Sequence, residues 1–246
     1  MASLLRTLLL ADKGRITLNK VVGDLDRRFG PLVTDEELPE LERIGYSIQR
    51  SAGDPFFLEG ERGDFALLIR KGHVKATRGK PSRIIDVRGP GAIVGEMAVI
   101  SKNPRMASVI AWNDVEALYL PGHAWLHFLM DHPRAMLALM SMMAAMVERQ
   151  AEKNIESELA IEQQLAKRLI ELVDSGLGEP DDKGVVLRKV SQQDLASLIG
   201  AKKLDSVKKV IQRLKAASIV GTGRQLITIF DVARLREVAD GKRPVS

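Results

Sequence analysis

The sequence predicts an α+β protein: a β-roll of short strands, then a long helix, then a small helical module finished by a β-wing. Three observations predict it. Residues 46–120 break into short apolar pieces punctuated by Gly53, Gly60, Gly63, Gly72, Gly79, Gly89 and Gly91, as in an all-β roll or barrel. From Asp131 the hydrophobic period lengthens from about two residues to about 3.6, the mark of a helix. Residues 191–216 then read as two short helices about Gly200, followed by two short strands about Gly221-Thr222-Gly223.

Composition bounds what such a chain does. Its 246 residues, 45% hydrophobic, suffice for two modest domains with real cores. It has no cysteine, which excludes disulfides, a thiol nucleophile and cysteine-ligated clusters, and fits a reducing compartment. His123 and His127 stand four apart without a third ligand in register, so no metal is expected. No Ser/His/acid set or paired-carboxylate cleft is visible, so an enzyme is not expected. No run of 18 apolar residues suggests a membrane span, and the leucines at the start lack a cleavage pattern, so a cytoplasmic protein is expected. Residues 181–246 hold 14 Lys/Arg against 7 Asp/Glu, a net +7 within a chain of +5. The basic character therefore belongs to the C-terminal quarter and points to a polyanion there.

The elements follow in order. Residues 1–26 are an N-terminal extension in which Leu4, Leu5, Leu8 and Leu9 could line a short helix. Residues 27–130 form the β-roll, entered by a helix over 34–45 whose Thr34 and Glu37 make a capping box and whose interior is weakened by Pro39. Strands are expected at 56–58, 65–69, 73–77, 83–87, 92–94, 107–111 and 115–120. Residues 131–158 form the long helix. Met136, Met140, Met143, Val147, Gln150 and Asn154 recur at alternating spacings of four and three, an a/d seam suited to a second copy of the chain. Gln150 and Asn154 would set its register. Residues 159–246 form the last domain, with a helix from about Ala160 to Ser175, a loop over 176–184, a strand over 185–190, and the two short helices. Ser191 caps the first of these, with Asp194 at its third position.

Residues 89–109, GPGAIVGEMAVISKNPRMASV, place Glu96 and Arg105 nine apart, with glycines before the acid and small residues after the base. An arginine fork suits a phosphate, a glycine turn exposes backbone donors, and a carboxylate suits a sugar hydroxyl. The segment resembles the phosphate-binding cassette of cyclic-nucleotide-binding domains through Gly95, Glu96, Ala98, Pro104, Arg105, Ala107 and Ser108. The resemblance implies that Glu96 takes the ribose 2′-hydroxyl and Arg105 the cyclic phosphate. Backbone groups at Gly95, Glu96 and Met106 would complete the cradle, with Met97 beside them and Ser108 assisting.

The segment SQQDLASLIGAKKLDSVKKVIQRLKA and the strands after it resemble the winged helix-turn-helix of the Crp/Fnr bacterial regulators. With the cassette and the long helix, the resemblance spans roughly residues 30–236. It implies a homodimeric transcription regulator whose partners are double-stranded DNA and RNA polymerase, controlled by cyclic AMP as effector. Where typical members carry Ser-Arg-Glu-Thr-Val, this chain has Lys202-Lys203-Leu204-Asp205-Ser206-Val207, with Leu204 at the matched arginine position, so the guanine-reading arginine is missing or is replaced by Lys203 or Lys202. Lys203, Asp205, Ser206 and Lys209 are the base-reading candidates; Lys202, Lys208, Arg213 and Arg224 are the phosphate candidates. In nucleotide-responsive members a Thr-Ser pair on the long helix contacts adenine, and here Gln150 and Ala151 stand there. Cyclic AMP leads, while cyclic GMP or another cyclic nucleotide stays open. The alternatives are a constitutive DNA-binding dimer with a vestigial pocket and a cyclic-nucleotide module acting through protein contacts.

Overall fold

The computed structural model describes residues 29–80, 82–156, 159–201 and 204–242. Residues 1–26, with the expected leucine helix, lie outside them, as do Lys202 and Lys203. The side chains of Gln150 and Asn154 also lie outside.

Helix α1 (Leu38–Ile44) leads into two four-stranded antiparallel sheets. One has the order β1 (Tyr46–Arg50), β8 (Val115–Pro121), β3 (Phe65–Lys71), β6 (Ile93–Val94). The other has the order β2 (Pro55–Phe57), β7 (Ser108–Ala111), β4 (Val74–Arg78), β5 (Arg83–Arg88). The continuous apolar run of β3 has a physical reason, because this strand is covered on both faces. Leu67 and Ile69 meet Phe57, Val74, Val109 and Ala111 between the sheets. Ala66 and Leu68 meet Leu41, Trp125, Phe128 and Leu139 under the helices.

The capping box expected at Thr34 is present, with the Thr34 amide donating to Glu37 Oε2 at 2.9 Å and the Glu37 amide to Thr34 Oγ1 at 3.3 Å. It closes a turn, however, and α1 starts only at Leu38, with Pro39 in the first helical turn where its missing N–H costs nothing. Three elements add to the expected set: β1, helix α2 (Glu96–Ser101), and helix α3 (Gly122–Asp131), which carries His123 and His127.

The long helix α4 spans Pro133–Glu156. One face, Ala135, Ala138, Leu139 and Ala145, is buried, most of it in the β-roll core. Another leaves Met136, Leu137, Met140 and Val147 exposed. Met143, expected in the same seam, is partly buried against its own β-roll.

The last domain comprises α5 (Ile161–Asp174), β9 (Gly178–Asp181), β10 (Gly184–Arg188), α6 (Gln192–Ile199), α7 (Leu204–Ala216), β11 (Val220–Gly223), β12 (Leu226–Ile229) and α8 (Val232–Ala239). Its sheet has the order β11-β12-β10-β9. The loop expected over 176–184 is corrected here: four of its residues form β9. This is an edge strand, so Pro180 removes no ladder bond on a central strand. The core gathers Leu165, Leu169, Leu187, Leu195, Val207, Ile211, Leu214 and Ile229, and it also takes in Ile84 and Trp112 from the β-roll.

Candidate functional site

The cassette is built around Gly95, which has φ +85 and caps the start of α2. A Cβ there would come within 2.6 Å of Arg105 Nη1, so only glycine permits both the turn and the close approach. Arg105 is 3% exposed. Its guanidinium packs against the rings of both Phe57 and Phe65, 4.2 and 4.3 Å from their centroids. Nη1 donates to the Gly95 carbonyl at 2.7 Å and Nη2 to that of Phe65 at 2.9 Å. Its Nε is buried and has no hydrogen-bond partner. The Arg105 backbone is pinned on both sides, its N–H donating to the Glu61 carbonyl and its carbonyl accepting from Gly60, each at 2.8 Å. Ser108 Oγ accepts from the Glu59 amide at 2.9 Å and so holds the same turn.

Glu96 is 5% exposed at the first position of α2. Burial pushes its carboxyl above the ordinary value, opposed by its own backbone N–H and by the charges of Arg88 and Arg105. Burial likewise lowers the Arg105 guanidinium from its usual value, opposed first by the charge of Glu96. The two side chains feel each other's field but form no ion pair within 4 Å. A carboxylate and a guanidinium that served only as a structural pair would meet. Met97 is half-buried, and Met106 is 51% exposed at the rim. The residues fit a cyclic phosphodiester: a buried cation with an orphan donor, a tight backbone cradle and a separate carboxylate. A solvent-open cleft of about 660 Å³ lies elsewhere, lined by Arg50, Asp54, Lys71, Asp114 and Glu116 among others. Its charges are of both signs and include no cassette residue. Among the described residues no group of three or more His, Asp or Glu could hold a metal ion.

The second candidate surface is α6–α7 with its wing. Ser191 and Asp194 make the full capping box of α6, and Gly200, with φ +65, ends it. Helix α7 buries Val207, Val210, Ile211 and Leu214 and exposes Asp205, Lys208, Lys209 and Lys215. Ser206 is half-buried, and Lys208 pairs with Asp205 at 3.3 Å. Arg224 is exposed on the turn between β11 and β12. Arg213, expected as a phosphate ligand, is exposed and also paired. Its Nη2 lies 3.1 Å from Glu162, whose side chain is 8% exposed, which ties α7 to α5.

The sequence reading missed the contacts between the domains. Trp112 is buried and donates through Nε1 to the Lys189 carbonyl at 3.1 Å. His73, 6% exposed, places Nε2 3.0 Å from the Ser175 carbonyl. Lys75 reaches Asp194 at 3.4 Å, and the Ile84 amide donates to Ser197 Oγ at 2.8 Å. An isolated apolar tryptophan between two short strands was the one available signal.

A cyclic-nucleotide-type β-roll followed by a winged helix-turn-helix defines a class, the DNA-binding regulators that carry a cyclic-nucleotide-binding domain. The comparisons agree. The cyclic nucleotide-binding domain family matches residues 48–132, and the Crp-like helix-turn-helix domain family matches residues 163–238. The cyclic AMP receptor protein of Thermus thermophilus is 28% identical over 196 residues, covering 77% of this chain and 86% of its own length. The CRP-like cAMP-activated global transcriptional regulator of Mycobacterium tuberculosis is 24% identical over 188 residues, covering 74% and 83%. A crystal structure of a CRP/FNR-family transcriptional regulator from Thermus thermophilus superposes with a TM-score of 0.66 at 25% identity, covering 79% of this chain and 98% of its own. The chain belongs to the Crp/Fnr family of transcription regulators, with a cyclic-nucleotide-binding domain and a helix-turn-helix domain. Members of this family are regulators and not enzymes.

Proposed function

We propose that the chain is a homodimeric transcription regulator controlled by a cyclic nucleotide, with cyclic AMP the first candidate. The observation that carries this is Arg105, a buried guanidinium with an unpartnered Nε, set beside a buried Glu96 with which it forms no ion pair. Arg105 takes the cyclic phosphate and Glu96 the ribose hydroxyl. The Gly95, Glu96 and Met106 backbone supplies further groups, Ser108 holds the turn, and Gln150 offers the base a polar group. The cyclic AMP receptor relative supports cyclic AMP over cyclic GMP. Two copies associate through the exposed stripe of α4 formed by Met136, Met140 and Val147, with Gln150 and Asn154 continuing it. Apolar side chains at this spacing suit a partner helix.

In this reading Lys203, Asp205, Ser206 and Lys209 read bases in the major groove of double-stranded DNA, while Lys202, Lys208 and Arg224 hold phosphates. Arg213, also a phosphate candidate, ties α7 to Glu162 as well. RNA polymerase is the downstream partner, and the cytoplasm the setting. Among the described residues no helix is long and apolar enough to cross a membrane.

The test is calorimetric titration of nucleotide-free protein with cyclic AMP and cyclic GMP. One saturable site per chain is expected. Arg105→Leu should lose roughly a hundredfold or more in affinity, since it removes a charge-assisted fork, and should keep nonspecific DNA binding. Normal activation of that variant by nucleotide would refute the assignment. A second reading, constitutive DNA binding with a vestigial pocket, is favoured by one observation: both Nη groups of Arg105 already donate to carbonyls. It predicts full DNA affinity with no nucleotide present.

A further inference from the structure

The turn between β4 and β5 belongs to the β-roll, yet the structure lays it on the helix-turn-helix. β5 is the edge strand of its sheet. Ile84 is 7% exposed within the core of the last domain, and its amide is bonded to Ser197 on α6. One residue earlier, the Arg83 guanidinium lies directly on the helix-turn-helix turn. A Cβ on Gly200 would fall 1.8 Å from Arg83 Nη2, so the glycine leaves the space that the guanidinium fills. Arg83 and Lys80 are both exposed, and neither side chain makes a hydrogen bond or ion pair with any described residue. The nearby acids on this hairpin face are already engaged: Glu59 with Arg78 and the Gly79 amide, Asp86 with Arg88.

These cations do not stand alone. Lys202 and Lys203 follow Gly200 in the sequence, and Lys208, Lys209 and Lys215 lie exposed along α7. Lys208 is paired with Asp205, so on α7 Lys209 and Lys215 carry the excess positive charge, which favours a polyanion. The docked hairpin leaves the polar residues of α7 exposed.

We infer that Lys80 and Arg83, at the tip of the β4–β5 hairpin, contact the DNA backbone beside the reading helix, so that the effector domain itself grips the operator. This rests on the DNA-binding reading above. The two side chains hold phosphates and carry no sequence information. They make the position of the β-roll on α6 part of the DNA-binding equilibrium.

The test is fluorescence anisotropy of the full chain on a nonspecific duplex between about 50 and 200 mM salt, a range over which phosphate contacts dominate the response. Lys80→Gln with Arg83→Gln should lower the slope of log K against log salt by about 0.9 for each phosphate that is no longer neutralised, so about 1.8 per chain. Binding near 0.1 M salt should weaken roughly tenfold or more. Arg43→Gln, which removes an exposed cation on α1, should leave the slope where it was, which separates a phosphate contact from a change in net charge. Cyclic-nucleotide affinity and melting temperature should be unchanged in the double variant, since both side chains are exposed. An unaltered slope overturns the proposal. So does tighter binding, which would make the hairpin an obstruction. Wild-type protein that binds no duplex at any salt would sink the DNA-binding reading itself, and this is seen before any variant is made.

Discussion

At the scale of single residues, Glu96 and Arg105 carry opposite burdens. Arg105 is buried but shielded by two aromatic faces and two carbonyls. Glu96 is buried with little to offset the loss of water, and its carboxyl titrates above the ordinary value mainly for that reason. Its folded pKa therefore lies above its unfolded one. The corresponding stability is fully present below the unfolded value and is lost as pH rises through the folded value. Glu96→Gln should melt higher than wild type near pH 7, and the gap should close as pH falls below about 4, where the carboxyl becomes protonated in both states. Thermal melts across that range check it. A variant that melts lower than wild type near neutrality would mean that the ionised carboxylate is stabilised in place.

Individual elements were legible where the pattern is local. The capping box at Ser191 and Asp194 is a three-residue signal, and the structure makes both of its bonds at 3.0 Å. The long helix announces itself by period. β9 did not, because Gly178, Glu179, Pro180 and Asp181 are turn-forming residues, and only pairing with β10 makes them a strand. β1 was hidden for a related reason. It is an edge strand, mostly exposed, held by β8 and by Tyr46 stacked on Tyr119 with centroids 4.7 Å apart. At six residues α2 is too short to show a period. The exposed stripe of α4 carries its own expectation: Val147→Asp should convert dimers to monomers in sedimentation equilibrium. Val147 is 72% exposed, so the change harms no core of the single chain. Dimers of unaltered strength would place the interface elsewhere.

At the scale of the whole molecule, the two domains share a core. Trp112 and Ile84 leave the β-roll to enter the DNA-binding module, with His73, Lys75 and Trp112 bonded across to Ser175, Asp194 and Lys189. Any ligand that shifts one domain against the other needs a difference in affinity between two arrangements, and it would have to work against these contacts. Trp112→Ala should cost roughly 3–5 kcal/mol at that contact. Calorimetric melting should then split into two transitions where the wild type shows one. A single, merely lowered transition would mean that the remaining contacts suffice to couple the domains.

The sequence by itself determined what lies along the chain. The cassette from Gly95 to Ser108, the period of α4, and the two short helices about Gly200 are contiguous, so residue type and spacing expose them. The tertiary structure alone decided what Arg105 packs against, that Arg213 answers Glu162, and that Ile84 and Trp112 complete a neighbour's core. Each of those contacts joins residues far apart in the chain. Their energy depends on burial and on distances set by the folded sheets and helices, and no local pattern records either.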